Sequence, residues 1–430
     1  MSGEKVLNSK LQTQLEQRER QKRLMQPPSP GMVNQLVDFG SNDTLSIATS
    51  RALTKGFLEQ LDAHPNFIVG STSTRIFEGT THYLDDIERD LARFHKAEAG
   101  LFFNSGFDAN VALWSTVPRP DDVVVHDEYI HASIHDGMRR GRAQTRSFAH
   151  NDLKDFRRAL EALRDDQKGV KDGKSVVFVA VESFYSMDGD VVPIQEMLRI
   201  SQEVLPQGNV VYAMDEAHSN GLIGRDGSGL VCHYGLEKEI GIRVHTCGKG
   251  LGSTGAVVLC SETMRMSMIN YARNIVFSTA PSFVTVAAVR AGYELVASEE
   301  GEQVMQRRRR LQQNTRYFER MVTQHKQWAE VSKQGIIQIP GSENWGSGPF
   351  ETPIFALITP GGEENELADH IRGNGYWVDS VHYPIVPKQL GRVRLTVHAD
   401  NTKEQIERVV GVFMEWAGAR VKKEGRRAKL

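Results

Sequence analysis

Short apolar runs alternate with amphipathic stretches along most of this chain, and this alternation constrains the fold more than any other feature. Between about residues 85 and 300 the runs are almost wholly apolar and rich in β-branched residues, as at 122–125, 175–181 and 209–214. Two further runs lie at 100–103 and 256–259. Strands that are apolar on both faces and separated by helices are typical of a parallel sheet covered by helices. The sequence therefore predicts the α/β class.

The composition changes near residue 300, which divides the chain into three predicted parts. Leucines near helical spacing over residues 5–26 predict a helix and arm over 1–50. The large domain is predicted over 51–300, and a smaller α+β domain over 301–430. The elements predicted in this last part are a charged helix, three strands and a closing helix, at 302–322, 336–339, 353–358, 393–397 and 403–416.

Charge and cysteine content limit the classes of protein. The 430 residues carry 52 basic and 54 acidic side chains, so neither a nucleic acid nor an anionic membrane surface is indicated as the main partner. The three cysteines, Cys232, Cys247 and Cys260, lack the spacing of a disulfide framework or a zinc cluster. No run approaches the roughly 18 apolar residues of a membrane span. An enzyme acting on small molecules is favoured.

The two ends of the chain bear on its location in the cell. Residues 1–30 are polar and of mixed charge, unlike a secretory signal. The chain ends in Ala428-Lys429-Leu430, a conservative variant of the Ser-Lys-Leu peroxisomal address. A solvated basic tail is the alternative interpretation. We therefore expect a protein of the peroxisome or of the cytoplasm.

Polar segments follow several of the apolar runs, and ligands of open parallel sheets bind at the carboxyl ends of strands. The segments are 104–110, 126–133, 182–190 and 215–218. Each one alone has an ordinary structural explanation, because serines and acidic residues cap helices and histidines form structural hydrogen bonds. Asp215 and His218 also suggest a metal, but no third ligand lies at helical spacing beside them, so no metal site is predicted.

The most specific signal is a lysine among glycines. Lys249 lies in Gly248-Lys249-Gly250 between two apolar runs, and follows Asp215 along the chain. A lysine that forms a Schiff base with a cofactor aldehyde, and a carboxylate that keeps a pyridine nitrogen protonated, are what pyridoxal phosphate chemistry requires. This pair of residues predicts a pyridoxal phosphate enzyme.

Several motifs in order and spacing make the chain resemble a known family over about residues 35–415. The motifs are 105–110, 131–133, 148–152, 186–190, 215–218 and 246–250. On these residues the chain is identified as a member of the α-oxoamine synthases, which are fold-type-I pyridoxal-phosphate transferases. The resemblance implies a mostly parallel seven-stranded sheet, pyridoxal 5'-phosphate as the cofactor, and a homodimer with active sites at its interface.

The resemblance also assigns roles to single residues. Lys249 would hold the cofactor and then remove the Cα proton, Asp215 would pair with the pyridine nitrogen, and His131 would stack on the ring. Further cofactor contacts are implied for Gly106, Phe107, Ser186, His218, Thr246 and, from the partner subunit, Ser278 or Thr279. Arg394 and Asn42 would bind the substrate carboxylate. Strand alternation places Arg392 on the same face as Arg394, so this choice rests on the family alone.

The implied reaction is the decarboxylative condensation of an amino acid with an acyl-CoA. In the branch that the chain resembles most, the substrates are L-alanine and pimeloyl-CoA, in biotin synthesis. The chain departs from the family pattern at Thr72 and Ser46, where glycine is usual, and also at Thr44, Leu84 and Ile385. In the biotin enzyme the position of Ile385 holds a threonine that contacts substrate.

These departures leave other substrates open. One alternative is a related synthase that uses another acyl chain, or serine or glycine, in sphingoid-like or secondary metabolism. A silent partner subunit is a further alternative, against which Lys249, Asp215 and His131 argue. An aminotransferase is also considered, but the segments at 131–133 and 186–190 resemble acyl-transferring members more.

Overall fold

The computed structural model describes residues 2–21, 23–33, 35–297, 302–359 and 362–427. The terminal Ala428-Lys429-Leu430 segment lies outside these residues. The strands are β1 (Val37–Asp38), β2 (Ala99–Phe103), β3 (Val123–Asp127), β4 (Gln144–Phe148), β5 (Val177–Glu182), β6 (Val210–Asp215), β7 (Ile242–Thr246), β8 (Ala256–Cys260), β9 (Ile354–Ile358), β10 (Tyr376–Trp377), β11 (Asp379–Val381) and β12 (Arg392–Thr396).

Helices connect most of these strands. They are α1 (Gly3–Arg20), α2 (Pro30–Val33), α3 (Ala52–Ala63), α4 (His82–Phe94), α5 (Gly106–Thr116), α6 (Ala132–Arg140), α7 (Leu153–Asp166), α8 (Lys168–Lys171), α9 (Ile194–Val204), α10 (Leu230–Tyr234), α11 (Glu262–Tyr271), α12 (Arg273–Val276), α13 (Phe283–Ala297), α14 (Glu302–Thr323), α15 (Trp328–Lys333), α16 (Glu364–Gly373) and α17 (Lys403–Arg427). Within the described ranges, no helix combines the length and hydropathy that a membrane crossing needs.

A seven-stranded sheet forms the centre of the molecule, in the order β2-β8-β7-β6-β5-β3-β4. Its strands are parallel except β8, which runs antiparallel to β2 and β7. Val123 and Val125 belong to one cluster of buried side chains, and Val124 between them belongs to a second. The sheet therefore buries both faces, which explains why its strands are apolar throughout. The predicted α/β fold with a mostly parallel seven-stranded sheet is confirmed.

Several elements differ from the prediction. The edge strand β4 was not predicted, because its sequence Gln-Thr-Arg-Ser-Phe is polar and its first four residues are exposed. The strand predicted at 336–339 is absent as a continuous strand. Only Gln338 forms a bridge there, with Ile358, although the isoleucines around it are buried. Burial in the core, and not strand pairing, accounts for these apolar residues. Helix α1 ends at Arg20, before the predicted limit, and α17 continues to Arg427.

The N-terminal arm returns to the C-terminal part of the chain. Strand β1 pairs in parallel with β10, and the three-stranded antiparallel sheet has the order β11-β12-β9. The amide of Thr396 donates to the carbonyl of Phe39 at 2.7 Å, and that of Ala399 donates to the carbonyl of Thr44 at 2.8 Å. The arm therefore lies along the end of β12, beside Arg394. The division of the chain at residues 50 and 300 stays a prediction.

A buried ion pair fixes the loop before α4. The Arg75 and Glu88 side chains are 4% and 3% exposed and form a bidentate pair, with Arg265 Nη2 at 3.1 Å from Glu88 Oε2. Glu88 also accepts a hydrogen bond from the amide of Phe102 at 2.7 Å. One carboxylate thus joins the loop, α4, β2 and α11.

We expect Glu88→Gln to lower the free energy of unfolding by about 3–5 kcal/mol, because it removes the buried carboxylate paired with Arg75 and leaves the more exposed Asp85, 3.8 Å away, as the partner of that charge. The matched control is Glu59→Gln, which removes an exposed contact with Lys55 at 3.6 Å and should cost less than about 1 kcal/mol. Urea unfolding of the two variants measures both values. Equal losses in the two variants would contradict the assigned role of Glu88.

Candidate active site

The predicted site residues meet at the carboxyl ends of β5, β6 and β7. Glu182 and Asp215 are register partners at the ends of β5 and β6. Lys249 lies in the turn between β7 and β8, and His131 is the N-cap of α6. This is the edge at which an open parallel sheet binds ligands.

Lys249 contacts a neutral histidine. Its Nζ lies 2.9 Å from Nε2 of His218, which is buried. Burial lowers the pKa of His218 well below its usual range, and the Lys249 charge lowers it further. Burial also lowers the pKa of Lys249, although Asp215 opposes that shift. A lysine with a lowered pKa is suited to act as a nucleophile and as a base.

Asp215 is oriented through hydrogen bonds to both of its carboxylate oxygens. Oδ2 accepts from Asn110 Nδ2 at 2.8 Å, and Oδ1 accepts from the amide of Ala217 at 3.0 Å. The same Asn110 nitrogen donates to Ser133 Oγ at 3.0 Å. The carboxylate therefore points in a fixed direction from the end of β6.

The state of His131 follows from its neighbours. Its Nδ1 accepts from the amide of Ser133 at 3.2 Å and lies 2.7 Å from Ser133 Oγ. Because Nδ1 is an acceptor, the ring is neutral and carries its proton on Nε2. Burial lowers the pKa of His131, which agrees with this state. Part of the residue is nevertheless exposed in the protomer, so its ring is accessible to a planar partner.

Glu182 and Asn110 are site residues to which no role was given from sequence. The amide of His131 donates to Glu182 Oε1. Burial and the nearby Asp215 raise the pKa of Glu182 well above its ordinary value. An acidic residue after a strand has the same sequence signal as a helix cap, and only the pairing of β5 with β6 shows that it adjoins Asp215.

The N-terminus of α5 forms a cradle with the end of β7. Ser105 Oγ caps the helix by accepting from the amide of Asp108 at 3.1 Å. The N–H groups of Gly106 and Phe107 open the first turn, where amides have no acceptor within the helix. A Cβ on Gly106 would lie 2.3 Å from Thr246 Oγ1. Glycine therefore lets helix amides and a hydroxyl converge, an arrangement suited to a phosphate.

The structure distinguishes the two arginines of β12. Arg392 is almost fully buried and pairs with Asp188. Arg394 Nη2 donates to Asn42 Oδ1 at 2.8 Å, and its Nε donates to the carbonyl of Ser186 at 2.7 Å. Among the residues that the structure describes, no carboxylate lies within 4 Å of Arg394, although Asp379 is its register partner. Burial lowers the pKa of Arg394 to about 10. A buried guanidinium held by neutral acceptors retains donors for a ligand carboxylate.

Four predicted residues are not joined to this cluster by a described side-chain contact. Ser186 reaches the site through its carbonyl, and its hydroxyl has no described partner. Ser278 and Thr279 are exposed, and line a small recess with Asn104 and Asp108. Ile385 is 54% exposed. The roles of these four side chains stay predictions.

A histidine beyond the cluster joins two carboxylates. His150 Nδ1 lies 2.8 Å from Asp127 Oδ1, and Nε2 lies 2.7 Å from Asp190 Oδ2. Ligand atoms of His150, Asp188 and Asp190 lie within 4.8 Å of one another. Both nitrogens of His150 are engaged by carboxylates and Asp188 is paired with Arg392, so the group is an ion-pair network. Although burial opposes the charge, the two carboxylates raise the pKa of His150 to about 10.

The lysine after β7, the carboxylate after β6 and the cradle at α5 define a pyridoxal-phosphate-dependent enzyme of fold type I. Residues 34–413 match the family described as aminotransferase class I and II. The chain belongs to this family and, within it, to the α-oxoamine synthases.

Relatives and solved structures agree with this assignment. The chain is 40% identical over 382 residues to the aminoacyl transferase sphA of Aspergillus fumigatus, in an alignment that covers 89% of this chain and 81% of the relative. It is 38% identical over 398 residues to the 8-amino-7-oxononanoate synthase of Emericella nidulans, covering 91% of each. The serine palmitoyltransferase of Sphingomonas wittichii has a TM-score of 0.74 at 23% identity, covering 90% and 88% of the two chains, and is similar in fold.

The residues present fit pyridoxal phosphate. Lys249 provides the amine for the cofactor aldehyde, and Asp215 provides an oriented carboxylate for the ring nitrogen. The cradle of Gly106, Phe107 and Thr246 suits the phosphate. These groups converge at the edge of the sheet where the predicted cofactor would bind.

We expect Gly106→Ala to weaken the binding of pyridoxal phosphate about tenfold or more, because the added methyl group would displace Thr246 Oγ1 or the first turn of α5. Equilibrium titration of the cofactor-free protein measures this affinity. Gly411→Ala is the matched control, since nothing lies within 4 Å of its Cβ position. Equal affinities in both variants would contradict the assigned cradle.

We expect the stabilisation by His150 to depend on pH. The pKa of His150 is raised to about 10 in the folded protein, from about 6.5 when unfolded. Its contribution is therefore complete below about pH 6.5 and is lost as the pH rises toward 10. The difference in free energy of unfolding between the parent chain and His150→Gln should be about 2–3 kcal/mol at pH 6 and shrink at pH 9.5. A constant difference in urea unfolding across this range would refute the charged state.

Proposed function

We propose that this enzyme condenses an amino acid with an acyl-CoA thioester, releasing the free thiol and carbon dioxide. The observation that carries the proposal is the placement of Lys249 beside neutral His218, at the same sheet edge as the oriented Asp215. Arg394 and Asn42 add an anion-binding group next to this edge. An amino acid needs both features, one for its amine and Cα and one for its carboxylate.

The residues of this chain divide the work of the reaction. Pyridoxal phosphate, when bound, supplies the electron sink for the bonding electrons left at Cα. Lys249 Nζ takes the Cα proton, and its lowered pKa favours the neutral amine that can do so. Asp215 holds the ring nitrogen in its protonated form. His131 offers its accessible ring for stacking, and the Arg394 guanidinium holds the substrate carboxylate in place.

For the substrates we propose L-alanine and pimeloyl-CoA, giving 8-amino-7-oxononanoate in biotin synthesis. The relative from Emericella nidulans, which is named for this product, supports the pair. A second candidate is an α-oxoamine synthase with another acyl donor, or with serine or glycine. Two relatives named aminoacyl transferase sphA, at 40% and 39% identity, favour it. The exposed Ile385, where the biotin enzyme has a hydroxyl, favours it as well.

We also propose that the enzyme is a homodimer whose partner contributes Ser278 or Thr279. Large apolar side chains are exposed close to these residues in the chain or across the Thr74–Thr279 bridge, including Phe277 and Phe77, each 70% exposed. Burial of such a surface against a second copy would remove it from water. For the location we propose the peroxisome, with Ala428-Lys429-Leu430 as the address, or alternatively the cytoplasm.

The test is thiol release from a set of acyl-CoA donors in the presence of L-alanine, L-serine or glycine. With L-alanine we expect release from pimeloyl-CoA to exceed that from palmitoyl-CoA about tenfold or more, and Lys249→Ala to abolish release from both. Preference for palmitoyl-CoA or for serine would establish the second candidate. No release with any pair by the cofactor-loaded enzyme would reject the condensation itself.

Lys249→Ala has a readout that does not depend on turnover. Borohydride treatment should leave the cofactor covalently attached to the parent chain and not to the variant, because the attachment needs the Nζ amine. Lys55→Ala, which removes an exposed lysine of α3, is the control and should retain the attachment. Attachment in Lys249→Ala would show that another lysine holds the cofactor.

A further inference from the structure

We propose that His150 is a positioning residue for substrate binding, because its imidazolium ties the 186–190 loop, which contacts Arg392 and Arg394, to the central sheet. The proposal rests on the proposed function, in which Arg394 binds the amino-acid carboxylate. His150 belongs to the 148–152 motif, to which no chemical role has been given so far. It follows β4 at the edge of the sheet, and lies outside the cofactor cluster.

His150 is held by contacts with its ring and with both of its nitrogens. Each ring nitrogen lies within 2.8 Å of a carboxylate oxygen, on Asp127 at the end of β3 and on Asp190 in the loop after β5. Two carboxylates accept from both nitrogens only when both carry protons, so the ring is an imidazolium. Tyr129 stacks on it with centroids 4.4 Å apart, and Tyr185 meets it edge-on at 4.5 Å. The ring is thus held on its faces and at both nitrogens.

The 186–190 loop connects Asp190 to the two arginines of β12. The amide of Tyr185 donates to the carbonyl of Asp190 at 3.0 Å, which closes the loop on itself. Within this loop Asp188 pairs with Arg392, and the carbonyl of Ser186 accepts from Arg394 Nε at 2.7 Å. The loop therefore contacts both arginines of β12, while Asp190 Oδ2 connects it to the central sheet through His150 and also accepts a hydrogen bond from Asn151 Nδ2.

The 186–190 loop fits tightly against the C-terminal part of the chain. Gly189 has a φ of +76°, and a Cβ there would lie 2.0 Å from the carbonyl oxygen of Ile354. Thr352 donates its hydroxyl to the carbonyl of Gly189. A loop so closely packed on β9 transmits a displacement at Asp190 to its neighbours, because little space is left for local adjustment.

The position of the loop affects the binding of the amino acid and not the chemical step. Arg394 has its Nε directed by the Ser186 carbonyl and its Nη2 by Asn42, so the loop fixes one side of the guanidinium plane. A bidentate contact with a carboxylate depends on the orientation of that plane. Loss of the His150 tie should therefore weaken amino-acid binding, while Lys249 and Asp215 keep their own contacts and the chemical step is retained.

The experiment compares His150→Gln and Asp190→Asn in the cofactor-loaded enzyme. We expect each variant to raise the KM for the amino acid about tenfold and to change kcat less than about threefold. The double variant should be no worse than the more affected single variant, because both substitutions break the same tie. His82→Gln, an exposed histidine at the start of α4, is the matched control and should leave both constants unchanged.

Two further measurements separate the possible failures. Hydrogen exchange should become faster over residues 183–191 in His150→Gln and Asp190→Asn, and not in His82→Gln. Arg394→Lys should raise the same KM by removing the planar contact. If Arg394→Lys raises KM while the His150 and Asp190 variants do not, the positioning role is wrong and the proposed function stands. If Arg394→Lys leaves KM unchanged, the carboxylate role of Arg394 is wrong, and the positioning role is rejected with it.

The remaining outcomes also decide the matter. A fall in kcat with an unchanged KM in His150→Gln would overturn the proposal, since it would place His150 in the chemical step. Additive effects in the double variant would show that His150 and Asp190 act separately, and would reject the shared tie. Should His150→Gln not fold, Asp190→Asn carries the test alone, and an unchanged KM in that variant rejects the positioning role.

Discussion

The site depends on one lysine amine and one carboxylate that are held at the same edge of the sheet. Lys249 is half-buried and Asp215 is buried at this edge, and burial lowers the pKa of Lys249 while the charge of Asp215 opposes that shift. Additional charges are costly in such surroundings. Burial accordingly raises the pKa of Glu182 and lowers the pKa of His131 and of His218. The pKa shifts of Lys249, Glu182, His131 and His218 thus share one main physical cause, which is desolvation at this edge of the sheet.

Two of the residues at which the chain departs from the family pattern have a left-handed backbone conformation. Ser46 and Thr72 replace residues that are usually glycine, yet both have a φ of +53°. Ser46 is held there by the amide of Asp400, which donates to its hydroxyl at 3.3 Å, and by Arg307, which binds its carbonyl. Thr72 lies between Ser71 and Ser73, whose carbonyl and amide are joined at 2.7 Å. Both positions retain the left-handed conformation at a cost of roughly 1–2 kcal/mol each.

Sequence patterns predicted those elements whose residues all follow from one physical requirement. Strands β3, β5, β6 and β8 were predicted because burial on both faces requires apolar residues throughout, whereas the exposed edge strand β4 follows no such rule. Lys249 and Asp215 could be assigned because pyridoxal phosphate chemistry needs both. Local sequence does not specify which distant strands pair with each other. The proximity of Glu182 to Asp215 could therefore be recognised only in the structure. The same holds for the choice between Arg392 and Arg394, which alternate identically along β12 and differ only in their partners.

The return of the N-terminal arm to β12 sets an order of assembly during synthesis. Asn42 and Arg394 are 352 residues apart in the chain, while every residue of the Lys249 cluster and its cradle lies between 105 and 250. Domains of a growing chain fold as their residues emerge from the ribosome. The residues of this cluster are therefore synthesised long before the arm can meet its arginine. In each newly synthesised chain the residues of the Lys249 cluster are thus present first, and the arginine that would bind the amino-acid carboxylate is added later.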